Sequence, residues 1–177
     1  RDVAVLEFRR VLFRSLEVTH SNHVWCIDIT YIPMAKGFLY LTAIIDVYSR
    51  YIVGWDIHNT LDAENSLNVL RNAIAVHGKP EIVNSDQGSQ FTCPGWVNYL
   101  KDQEITISMD GKGRALDNVW IERFWHTLKQ EYVYICPAEN GNMLRKGLSK
   151  FINYYNKRRT HQSLDRKTPF DWYEYAA

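Results

Sequence analysis

No stretch of this chain stays apolar for the ~20 residues that a membrane-spanning helix requires, and its start does not read as a secretory leader. The longest apolar run, 38–47, is interrupted by Thr42 and Asp46, so it reads as a buried strand. Cysteine is scarce. Cys26, Cys93 and Cys136 are odd in number and share no CxxC spacing, which excludes a disulfide framework and points to a reducing cytosol. Internal repeats and low-complexity tracts are absent, and so is a large net charge, which is only +1. What is there is ordinary globular material. Hydrophobic residues make up 46% and charged residues 23% of 177, enough for one sizeable core and too apolar for disorder.

The small net charge hides an asymmetry. Residues 144–167 hold eight Lys/Arg against one acid, Asp165, a local charge of +7. Residues 16–143 hold nine Lys/Arg against fifteen acids, a local charge of −6. An acidic body with a basic C-terminal segment suits a metal site beside a polyanion-binding surface, and equally suits a solvated helix face.

The first fifteen residues differ from the rest. Glu7-Phe-Arg-Arg-Val-Leu-Phe-Arg-Ser15 reads as a translated sequencing-adapter remnant, so 1–15 is expected to be non-native. The competing reading is a basic amphipathic helix, because Val5, Phe8, Leu12 and Leu16 have helical spacing. A core over 16–136 and a C-terminal helical extension with a basic tail over 137–177 are expected to form one domain.

Three runs rich in β-branched and aromatic residues, 24–32, 38–47 and 50–58, lie between short connections and predict an antiparallel meander. The period then changes. Ala63, Leu67, Leu70 and Ile74 form a helical stripe over 62–77, with Asp62 placed to cap it and Gly78 and Pro80 to end it. Short strands are expected at 81–85 and 105–108, and helices at 94–101, 118–133 (with Asp117 as its cap) and 142–156. This order predicts an α/β protein with a five-stranded mixed sheet, an antiparallel meander plus two parallel strands flanked by helices. The pattern by itself does not separate one such fold from another.

Three carboxylates stand out. Asp28 lies inside Trp25-Cys-Ile-Asp-Ile-Thr-Tyr31, where an unpaired charge is costly to bury. Asp86 ends an apolar strand and precedes Gln87-Gly88, the place where α/β proteins bind ligands. Glu122 sits on the polar side of the long helix, on one face with Asn118 and Lys129.

Together with Leu41-Thr-Ala-Ile-Ile-Asp-Val-Tyr-Ser-Arg50, Ser85-Asp86-Gln-Gly-Ser-Gln-Phe91, Leu116-Asp-Asn-Val-Trp-Ile-Glu122 through Lys129, and Tyr155-Asn156 through Arg159, His161 and Thr168-Pro169, these residues resemble the insertion-sequence transposases related to retroviral integrases. Thirty-five residues separate Asp86 from Glu122, the spacing of that family's Asp-Asp-Glu triad, and Lys129 follows seven residues on. The resemblance spans about 18–172. It implies the ribonuclease-H-like fold, with DNA cleavage followed by 3′-OH strand transfer. It implies that Asp28, Asp86 and Glu122 are catalytic and hold two Mg²⁺ or Mn²⁺ ions ~4 Å apart.

By the same resemblance Lys112, Arg114, Asn118 and Lys129 approach DNA. Arg123, Lys157, Arg158, Arg159 and His161 are candidates for phosphate contacts or surface charges. It further implies a homo-oligomer that pairs transposon ends, action on the bacterial nucleoid in the cytoplasm, and an N-terminal helix-turn-helix region that this sequence does not show. Fold-level likeness leaves two alternatives open: a ribonuclease-H-like or junction nuclease, and a truncated remnant that only binds DNA. Asp46 and Asp56 are expected to be structural, as are Cys26 and the cluster of Trp120, Phe124 and Trp125. His126 reads either as a DNA contact or as a packed surface residue. His20 and His23 lack the paired cysteines that a zinc module needs.

Overall fold

The computed structural model describes residues 16–109 and 118–174. The meander consists of β1 (Val24–Pro33), β2 (Phe38–Asp46) and β3 (Ile52–His58). Helix α1 (Ala63–His77) leads to β4 (Ile82–Ser85). The short α2 (Ser89–Thr92) and α3 (Pro94–Asp102) lead to β5 (Thr106–Met109). The strand order is β3-β2-β1-β4-β5, with β1–β2 and β2–β3 antiparallel and β1–β4 and β4–β5 parallel. After the sheet come α4 (Val119–Leu128), α5 (Gly141–Lys157) and α6 (Pro169–Glu174).

Strand parity decides which helix meets which face. Successive side chains point to opposite sides of a sheet. Val24 and Cys26 pack in one cluster with Ile121, Phe124 and Leu128 of α4 and Leu148 and Ile152 of α5. Trp25 and Ile27 pack in the other with Leu67 and Leu70 of α1 and Trp96 and Leu100 of α3. Helices therefore cover both faces, as a sheet with apolar residues on both sides demands. Among the described residues no helix is long and apolar enough to cross a membrane.

Several local expectations are revised. Strand β3 starts at Ile52, because Arg50 takes a left-handed φ of 66° and the Tyr51 amide donates to Ser49 Oγ. Asp62 stands at the N-cap of α1 without a side-chain capping bond, and its carboxylate accepts from Thr60 Oγ1 instead. The cap of α4 is Asn118, and Asp117 lies outside the described residues. The long helix is α-helical only to Leu128 and runs on as a π-helical turn, Lys129–Val133. Helices α2 and α6 are too short for a clear hydrophobic period, and sequence reading passed over them. Residues 1–15, expected to be non-native or a basic amphipathic helix, also lie outside the described residues.

The π-helical turn packs onto α5 at a glycine. The Tyr132 ring stacks on Phe151, with centroids 5.8 Å apart, and its hydroxyl occupies the place a Cβ on Gly147 would take. Gly147→Ala gains up to ~1 kcal/mol of helix propensity but must push the ring aside. The expected net result is a loss of about 1–3 kcal/mol, read as a lower urea midpoint. A midpoint at or above wild type would show that Tyr132 repacks freely.

Candidate active site

Asp28 shares the parity of Val24 and Cys26, so it faces α4. Its Oδ2 accepts from Trp125 Nε1 at 2.8 Å. Two residues further along β1, Thr30 Oγ1 accepts from Lys129 Nζ at 2.8 Å. These two bonds clamp the α4 helix and the start of its π-helical extension onto β1. Thr30 was not singled out from the sequence, and Trp125 was expected only as part of a structural aromatic cluster. The signals were present: Thr30 has the parity of Asp28, and Trp125 lies one turn after Glu122.

Asp86 reaches the same end of the sheet through register. Strands β1 and β4 are parallel and their pairing ends at Cys26 and Asn84, two residues before Asp28 and Asp86 on each chain, and the Asp86 charge acts on Asp28. The Asp86 side chain is held by its own turn, with Oδ1 accepting from the Gly88 amide at 2.9 Å. A Cβ on Gly88 would lie 2.9 Å from that same oxygen, so a larger residue would displace the carboxylate. Glu122 is exposed on α4, one turn before Trp125.

The other two carboxylates act on Asp28. Burial, first of all, pushes the Asp28 carboxyl up to about 6, and the charges of Asp86 and Glu122 push it the same way. The Trp125 and Ile29 hydrogen bonds oppose this without prevailing. The site is therefore short of positive charge, and hard oxygen donors of this kind suit magnesium or manganese. Among the described residues no three Asp, Glu, His or Cys side chains lie close enough together to enclose one ion. Asp28 and Asp86 each have an oxygen engaged by a protein N–H.

The remaining candidates divide. Asn118 is only 5% exposed, with an unpartnered buried Oδ1. Burial lowers the Lys129 pKa, opposed by the charge of Asp28, and its ammonium also lies 4.8 Å from the Tyr31 ring. Arg123 and His126 are exposed. Lys112 and Arg114 lie outside the described residues.

In the basic segment, Lys157 sits 5.3 Å from the Phe170 ring and Arg158 is exposed. Arg159 makes a forked pair with Glu131 at 2.7 and 3.1 Å. His161 is pulled down to about 4, mainly by burial. Of the other singled-out residues, Asp46 is fully buried and hydrogen-bonded, Asp56 pairs with Arg145, and Cys26 is a buried core thiol. His20 and His23 stack on each other, and His20 pairs with Glu81.

Known proteins resemble this chain in sequence and in fold. Residues 18–115 match one integrase core domain family and residues 103–169 a second family of the same description. The transposase for insertion sequence element IS904 of Lactococcus lactis is 35% identical over 178 residues, covering 99% of this chain and 70% of that protein. The putative transposase InsK for insertion sequence element IS150 of Escherichia coli is 32% identical over 165 residues, covering 92% of this chain and 58% of that protein. Among solved structures, the HTLV-2 integrase catalytic core domain in complex with magnesium superposes with a TM-score of 0.73 at 19% identity, over 89% of this chain and 99% of that one, a likeness of fold. By these sequence matches this chain belongs to the integrase core domain family.

Proposed function

We propose that this chain is the catalytic core of a DNA transposase, cleaving a DNA strand and joining the freed 3′-OH to a new phosphodiester. The observation that carries this reading is a half-buried Asp28 held by Trp125 of the helix that bears Glu122, with the charges of Asp86 and Glu122 acting on it. In this reading Asp28, Asp86 and Glu122 are the catalytic carboxylates and hold the divalent metal ions. Such ions, magnesium or manganese, supply Lewis-acid activation of the attacking oxygen and stabilise charge on the leaving oxygen.

The chain's own groups do the rest. Trp125 fixes the rotamer of Asp28 through its indole N–H. The Gly88 amide orients Asp86. Lys129, anchored on Thr30, keeps a cation near Asp28. The site requires no protein nucleophile. Lys112, Arg114, Asn118, Arg123, Lys129 and the basic segment with Lys157, Arg158, Arg159 and His161 are the proposed DNA-contacting set. Residues 16–136 and 137–177 act as one unit in this reading, supported by Tyr173, whose hydroxyl donates to Asn22 at 2.8 Å. The enzyme works on the nucleoid in the bacterial cytoplasm, as a multimer that pairs DNA ends, beside a separate N-terminal DNA-binding region.

Two assays test this against a ribonuclease-H-like nuclease and against a remnant that only binds. With Mg²⁺, a duplex ending in a recessed 3′-OH is expected to be joined to a second duplex, while an RNA–DNA hybrid stays intact. Hybrid cleavage without joining selects the nuclease. Binding with neither reaction selects the remnant.

A further inference from the structure

Behind the acidic centre, α4 carries a second feature. At about 100° per residue, Glu122, His126, Arg123 and Thr127 follow one another around its outer side, up to Trp120 at the edge of the core. The last of these open into a cavity of about 250 Å³, bounded also by Arg50 from the β2–β3 turn and by Tyr155, Arg159 and His161 from α5 and the segment after it. Three parts of the chain, distant in sequence, therefore build one site.

Its chemistry is one-sided. The Arg50 guanidinium lies 3.4 Å from the centre of the Trp120 ring, and Arg123 lies 5.3 Å from the same ring. Among the described residues no carboxylate lines the cavity. The nearby acids are already engaged: Glu131 holds Arg159, and Asp46 accepts from Asn22 and Ser49. Arg50 Nε is buried with no hydrogen-bond partner, and so is His161 Nε2. Burial and the neighbouring Arg123 lower the Arg50 pKa only to about 10, so it stays cationic at neutral pH. Arg50 feels the Asp46 charge, but that carboxylate spends its hydrogen bonds on Asn22 and Ser49, so two guanidiniums with an unpartnered Arg50 Nε make a receptor for an anion with several acceptor oxygens.

The occupant follows from size and position. The space is below the ~300 Å³ at which small-molecule pockets begin. Arg50 already covers a face of Trp120, which leaves that face closed to a stacked base. The path from Glu122 to the cavity crosses the exposed side of α4. We propose that Arg50 and Arg123, set against Trp120, grip one backbone phosphate of the DNA strand that crosses α4 from the acidic centre. The contact positions the strand and carries no sequence information. This rests on the DNA-processing reading above.

Binding measured in EDTA separates the two claims, because it requires no chemistry at Asp28. The probe is a fluorescent 20-base-pair duplex of arbitrary sequence, titrated by anisotropy over a series of NaCl concentrations. Arg123→Gln is expected to weaken binding equally for unrelated sequences and to flatten the slope of log K against log[NaCl] by about 0.9, one phosphate's share. Arg123→Lys is expected to restore the slope. A duplex series with single neutral methylphosphonates is expected to show one position that weakens wild type and leaves Arg123→Gln unaffected.

Inorganic phosphate, followed through the Trp120 indole N–H resonance, distinguishes a free anion from a strand. Displacement of that phosphate by the duplex supports the proposal. Phosphate that stays bound while DNA binds overturns it, as does an Arg123→Gln slope equal to wild type. An inactive Asp28→Asn beside an unchanged Arg123→Gln slope removes only this pocket. A fully active Asp28→Asn beside a flattened slope removes only the catalytic assignment.

Discussion

Asp28→Asn is expected to lower Mg²⁺-dependent DNA cleavage and joining at least ~10³-fold, about 4 kcal/mol of transition-state stabilisation, while making the metal-free protein more stable. The two effects share one cause. The Asp28 carboxyl is pushed up to about 6 because its charge is buried beside two other acids. The folded pKa lies above the unfolded value of 3.8, so the folded state favours the protonated form. Ionisation therefore costs stability, fully above pH ~6 and not at all below pH ~4. A shift of this size corresponds to roughly 3 kcal/mol.

Asparagine removes that charge and keeps an oxygen for Trp125 Nε1. In EDTA at pH 7.5 the variant should unfold at higher urea than wild type, and the gap should close as pH falls to 4. Added Mg²⁺ should then stabilise wild type and leave Asp28→Asn unmoved. Wild-type cleavage by the variant would sink the catalytic assignment. Equal metal-free stability at every pH would show that the buried charge carries no cost.

Asp46→Ala should cost about 3–5 kcal/mol, the range for stranding the partners of a buried charge. Asp46 is fully buried. Its Oδ1 accepts from the Ser49 amide at 2.8 Å and from Ser49 Oγ at 2.6 Å, and its Oδ2 from the Asn22 amide at 2.8 Å. Burial raises its pKa even so, because desolvation outweighs these bonds. Asn22 in turn takes Trp25 Nε1 and the Tyr173 hydroxyl on its Oδ1 and donates to the His77 carbonyl. One carboxylate thus ties together the entry to β1, the turn that bears Arg50, the end of α1 and the C-terminal helix. Asp46→Asn should be damaging too, because its amide nitrogen must face a backbone N–H. Urea unfolding checks both variants, and a loss below 1 kcal/mol for the alanine would mean that Asp46 is not this tie.

Much of the architecture was legible because it rests on local periodicity. Runs of β-branched and aromatic residues marked the meander, a period near 3.6 marked α1, and Gly78 and Pro94 stood at helix boundaries where their backbone chemistry places them. The short α2 and α6 escaped, because four to six residues do not establish a period. The change from α to π winding at Lys129 escaped as well. It accompanies packing of Tyr132 against Gly147 and Phe151, residues more than a turn away on another helix.

The sequence by itself determined the identity and spacing of Asp28, Asp86 and Glu122, the order of strands and helices, and the family those blocks resemble. Each of these is a property of neighbours along the chain. Only the tertiary structure decided what the residues meet. The parallel register of β1 and β4 paired Cys26 with Asn84, two residues before Asp28 and Asp86, α4 brought Trp125 onto Asp28 and Lys129 onto Thr30, and the β2–β3 turn laid Arg50 on Trp120. Periodicity tells which face of an element is apolar. Which faces then dock, and in what register, is settled by burial summed over the whole core, and no local stretch of sequence contains that sum.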